Sequence, residues 1–81
     1  MRYAVYLHAD LLEKMPSGFQ RRKILEFIRS LQMQPDTLGD YLESDEAYRV
    51  LRTKIVGKYA VTYWLDDPAE MVMITNVQPA G

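Results

Sequence analysis

Residues 48–64, YRVLRTKIVGKYAVTYW, decide how the chain is read. Val, Ile, Tyr, Thr and Trp crowd both sides of Gly57-Lys58, and β-branched and aromatic side chains suit a pleated, half-buried surface. The stretch predicts a strand over Ala47 to Val56, a turn at Gly57-Lys58 and a second strand over Tyr59 to Leu65. Arg49, Arg52, Lys54 and Lys58 are set among Tyr48, Tyr59, Tyr63 and Trp64. Such a pattern either holds a polyanion or forms the wet face of an amphipathic hairpin. Parity divides the cations, because side chains alternate along a strand: Arg52 and Lys54 share a face that Arg49 reaches only through a bulge.

Downstream, Asp66-Asp67-Pro68-Ala69 reads as a turn and Met71 to Val77 as a third strand, leaving only Gln78-Pro79-Ala80-Gly81 loose. Upstream, residues 2–7 (RYAVYL) suit a short strand and HADLLEKM (8–15) a short helix that Pro16 ends. Ser17 and Gln20 have the spacing of a capping box. Phe19, Ile24, Leu25, Phe27, Ile28 and Leu31 then recur at helical spacing to about Gln34, where Pro35 stops the helix and PDTLGD (35–40) reads as a loop. The acids Asp40, Glu43, Asp45 and Glu46 read as a polar linker. The expected fold class is α+β: an N-terminal strand, a helical hairpin and a three-stranded antiparallel meander, with the helices on one sheet face and the other face partly open.

Eighty-one residues fit one domain with one core, and 48% hydrophobic with 26% charged residues is the balance of a globular chain. There is no cysteine, which removes disulfides, thiolate metal sites and Cys nucleophiles. A lone histidine, His8, builds neither a histidine metal cluster nor a Ser-His-Asp triad, so no metal or cofactor is expected. The net charge of −1 argues against a surface that attracts nucleic acid everywhere and leaves room for a local basic face. Neither a signal peptide nor a run of roughly 18 apolar residues is present, so a cytoplasmic location is expected.

The element order, the Pro35-Asp36-x-x-Gly39 loop, the Tyr48-Arg49 pair and the G-x-Y-x-V-x-Y run of Gly57, Tyr59, Val61 and Tyr63 resemble the RelE/ParE superfamily of type II toxins. The likeness spans nearly the whole chain. It implies a toxin neutralised by a cognate antitoxin, in a hetero-oligomer. RelE-like members cleave mRNA on the ribosome, whereas ParE-like members act on DNA gyrase. RNA cleavage by a 2′-hydroxyl needs a base, positive charge for the transition state and an acid for the leaving oxygen. Arg49 matches the family's basic position directly after the strand's tyrosine, and Arg52 and Lys54 are the expected substitutes beside it, with Tyr63 completing the expected catalytic set. Lys58, Tyr59 and the basic start of the second helix, Arg21, Arg22 and Lys23, are the expected RNA contacts. Met71 and Met73, on one face of the last strand, are the expected antitoxin contacts.

Two departures stand out. The family's Tyr-Arg after the hairpin glycine is here Tyr59-Ala60, and MVMITNVQPAG (71–81) lacks the basic residues and terminal tyrosine of RNA-cleaving members. A toxin of the ParE kind, or one without catalytic activity, accommodates both. For each cation the plainer reading is a solvated charge that protects a strand edge, and for each aromatic it is packing.

Overall fold

The computed structural model describes residues 2–81. Strand β1 (Ala4–Leu7) leads into helices α1 (Ala9–Lys14) and α2 (Gly18–Met33), followed by β2 (Tyr41–Ser44), β3 (Val50–Val56), β4 (Tyr59–Asp66) and β5 (Met71–Pro79). One sheet holds all five strands in the order β1-β5-β4-β3-β2, with β1 parallel to β5 and the other pairs antiparallel. The α+β class holds, but the sheet gains a strand: Tyr41–Ser44, inside the expected polar linker, pairs with β3.

Both helices bury their apolar stripes on one sheet face. Leu11, Met15, Ile24, Ile28 and Leu31 pack against Val61, Tyr63, Val72, Ile74 and Val77, and each such side chain taken fully from water contributes about 1.5–3 kcal/mol. Strict alternation cannot point Val72, Ile74 and Val77 the same way, since the last two are three residues apart. A bulge resolves this: Val61 faces Val77, Thr62 faces Asn76 and Tyr63 faces Ile74, so Thr75 is the unpaired extra residue.

Local capping differs from the sequence pattern. Ser17 makes no side-chain capping bond, and Gln20 accepts a hydrogen bond from the Lys58 amide instead (3.1 Å), tying the first turn of α2 to the β3–β4 turn. His8 caps α1, its Nδ1 accepting from the Asp10 amide at 3.1 Å. Gln78 and Pro79, expected to be loose, belong to β5, and the Ala80 amide donates to the Lys58 carbonyl. Tyr48 and Arg49 precede β3 rather than opening it.

Gly39 has φ +76°, and a Cβ there would lie 2.7 Å from the Thr53 carbonyl oxygen, a backbone atom with little room to yield. Left-handed backbone alone costs a residue with a side chain about 1–2 kcal/mol. Gly39→Ala should therefore lower the urea midpoint by the equivalent of at least about 2 kcal/mol, and an unchanged midpoint would show that the 35–40 loop adjusts freely.

Candidate functional site

β3 and β4 pair in register, Arg52 opposite Tyr63 and Lys54 opposite Val61, with no bulge between them. Parity therefore holds: Arg52 and Lys54 project to the helix side with Tyr63 and Val61, and Arg49 belongs to the other face. Arg49 nevertheless reaches the same end of the sheet as Arg52. Both line a cleft of about 270 Å³ with Val50, Trp64, Leu65 and Asp67.

Arg49 is held from two directions. Its Nε donates to Asp45 Oδ2 at 2.7 Å, and its guanidinium carbon lies 4.7 Å from the centre of the Trp64 ring. Asp45 Oδ1 also accepts the amides of Ala47 and Arg49, each at 2.9 Å, which fixes the turn in which Tyr48 takes φ +61°. These backbone bonds and the Arg49 guanidinium hold the Asp45 carboxyl below its ordinary value, against a smaller desolvation effect. Asp45 was not singled out from sequence, although its place four residues before Arg49 is a visible signal. Trp64 extends a row across the open face, since Tyr6, Met73 and Trp64 are register partners on β1, β5 and β4.

Arg52 points at the loop after α2. Its Nη1 donates to the carbonyls of Pro35 and Thr37, each at 3.3 Å. Tyr63, expected to position RNA, is 0% exposed, and its hydroxyl donates to the same Thr37 carbonyl at 2.6 Å. Burial raises its pKa, opposed by Arg52 and assisted by Asp40. It is a core residue with a satisfied hydroxyl, edge-on to Phe27 at 5.8 Å between ring centres. Lys54 stands 3.7 Å from Asp40 Oδ1, and Asp40 also accepts the Ile55 amide through Oδ2.

The expected RNA contacts divide between two ends of the hairpin. Lys58 sits in the β3–β4 turn beside the start of α2, which carries Arg21, Arg22 and Lys23, whereas Arg49 and Arg52 lie at the far end of strands about 20 Å long. Lys23 lies 5.0 Å above the exposed Phe19 ring. Tyr59 packs against the core and is not an open stacking platform. Met71 and Met73 are half-buried on the open face, as register partners of Asp66 and Trp64. Asp67, at the cleft rim, accepts a 2.8 Å hydrogen bond from the Tyr3 hydroxyl, whose pKa is raised first by that bond.

The arrangement therefore places two guanidinium groups and an indole around one cleft, with the Arg49 guanidinium over the Trp64 ring. Within the cleft lining, Asp67 is the only carboxylate and no imidazole is present.

Among solved structures, a chain of the archaeal RelE-RelB complex from Pyrococcus horikoshii OT3 superposes with a TM-score of 0.83 at 21% identity, covering 100% of this chain and 98% of that one. The fold is RelE-like. No protein-family model and no curated protein matches the sequence. The RelE-like likeness extends over all five strands and both helices, so β2 and the 45–49 turn fall within the superposed length.

Two outcomes test this account of the site. Tyr63→Phe should cost about 1 kcal/mol in urea unfolding, the net value of one buried hydrogen bond, and should leave every activity of the folded protein in place; lost activity at retained stability would return Tyr63 to the site. For Asp45 the folded pKa is depressed, so its contribution is present above the ordinary carboxylate value and fades as pH falls through the lower folded value. The stability gap between the native chain and Asp45→Asn should thus be open at neutral pH and narrow as pH falls below the ordinary carboxylate value, closing only once Asp45 is protonated in the folded chain.

Proposed function

We propose that the chain is the toxin of a type II toxin-antitoxin module, neutralised by a cognate antitoxin and acting in the cytoplasm. The observation that carries this reading is the RelE-like fold over the full length, shared with a chain crystallised as a RelE-RelB complex. The half-buried Met71, Met73 and Trp64 with Tyr6 beside them form the apolar open face on which an antitoxin would find adaptable contacts.

A second reading, cleavage of ribosome-bound mRNA, is favoured by one feature, the convergence of Arg49 and Arg52 beside Trp64. In that reading the two arginines stabilise the scissile phosphate, and Trp64 holds Arg49 in place beneath it. The buried Tyr63 and the Asp40-paired Lys54 take no part in it. Action on gyrase, as in ParE-like toxins, requires only a protein-binding surface and no acid-base pair.

Induction of the chain alone in bacterial cells should arrest growth; unimpaired growth at confirmed expression overturns the toxin reading. Pulse labelling of protein, RNA and DNA then separates the targets. Early translation arrest with new mRNA ends, abolished by Arg49→Ala and Arg52→Ala in folded protein, supports cleavage. DNA-synthesis arrest with intact mRNA assigns the chain to gyrase-directed action.

A further inference from the structure

The sheet has two edge strands, β1 and β2, each of four residues paired on one side. All four residues of β2 are exposed, and its one paired side meets β3. The surroundings are apolar as well. Leu38, Tyr41, Leu42, Tyr48 and Val50 are between 51% and 90% exposed, and they gather within thirteen positions of the sequence. The register puts Leu42 and Ser44 on the face of Arg52 and Val50, and Tyr41 and Glu43 on the opposite face with Thr53 and Leu51.

The chain segment that runs through this edge carries charge of one sign, while β3 sets Arg52 opposite Leu42. From Ser30 to Tyr48 there are five acids, Asp36, Asp40, Glu43, Asp45 and Glu46, and no Lys, Arg or His. Lys54 pairs with Asp40 and Arg49 with Asp45, and among the described residues Asp36, Glu43 and Glu46 have no ion-pair partner. Natural edge strands are usually blunted by lysine, proline or a bulge, and β2 contains none of these. Its protection is its shortness and its negative charge. That charge acts selectively, because like charges facing each other across a strand pair are unfavourable and opposite charges are favourable. A second copy of this chain added antiparallel about the centre of β2 would set Glu43 near its own counterpart.

We propose that the free edge of β2 is a strand-addition site for an extended segment of a partner protein in which apolar residues alternate with Lys or Arg. Backbone hydrogen bonds to β2 supply affinity, the apolar residues cover Leu42 and Val50 on one face, and the basic residues meet Glu43 and Glu46. The occupant is defined by this chemistry and is separate from the question of toxicity.

The test uses the full chain, 15N-labelled, with two synthetic peptides of equal length, one alternating Lys with Val and one alternating Glu with Val. The Lys-Val peptide should give saturable amide shifts and slowed hydrogen exchange confined to residues 41–44 and their neighbours, weakening as salt is raised. The Glu-Val peptide should give none. The variant Glu43→Lys/Glu46→Lys, checked for an otherwise native amide spectrum, should lose the response to Lys-Val at least tenfold and gain one to Glu-Val. Equal responses to both peptides, shifts centred on β1, no response to Lys-Val at millimolar concentration, or self-association of the chain through β2 would each overturn the proposal.

Discussion

The Thr37 carbonyl oxygen accepts hydrogen bonds from the buried Tyr63 hydroxyl and from Arg52, and much of the architecture hangs on that convergence. It fixes the loop after α2 against the helix-facing side of β3 and β4. With the loop fixed, Gly39 can run close beneath the Thr53 carbonyl and the Asp40 amide can donate to that same oxygen at 2.7 Å. From there β2 starts in register with β3. An unmade bond here would leave a phenolic hydroxyl in the core without a partner, a desolvation penalty of about 1–3 kcal/mol.

The same convergence explains why few cations are at liberty. Arg52 is anchored on loop carbonyls, Lys54 on Asp40, and Arg49 between Asp45 and Trp64. The exposed ion pairs of Lys54 and Arg49 are each worth no more than about 1 kcal/mol, so a polyanion of higher charge can displace those carboxylates. Arg49 and Arg52 remain at the rim of a cleft, whereas Lys58 and the basic start of α2 lie at the other end of the hairpin. A single continuous basic face does not form.

Sequence reading recovered the elements whose side chains announce their surroundings. β4 and the β3–β4 turn follow from Tyr, Val, Thr and Trp around Gly57, and α2 from the stripe ending at Leu31. β2 escaped because Tyr-Leu-Glu-Ser at an edge with every residue exposed has no alternation to detect. The break before β3 escaped because Tyr48 is a residue type that seldom takes a positive φ, and the Asp45 contacts that impose it are local but not periodic. Gln20 satisfied the capping pattern yet serves Lys58, thirty-eight positions away, which no local rule encodes. Tyr63 was correctly placed on β4, but its complete burial was not legible, since a motif tyrosine and a core tyrosine look alike until packing is known. The convergence of Arg49 and Arg52 depended on the geometry at the end of the sheet, beyond what strand parity alone could state.

The parallel pairing of β1 with β5 joins Ala4 to Met71 and Leu7 to Ile74 across almost the whole span of the chain. Such a contact closes only after everything between it has been made, and the loop-closure entropy falls due before the pairing returns it. During synthesis β1 must wait, with Val5 and Leu7 uncovered, until β5 has left the ribosome. The helical hairpin likewise lacks its floor of Val72, Ile74 and Val77 until then. Maturation of this fold is therefore a late, cooperative event governed by its last strand, and the interval before it is when the nascent chain is most open to chaperones, proteases or a partner already present in the cell.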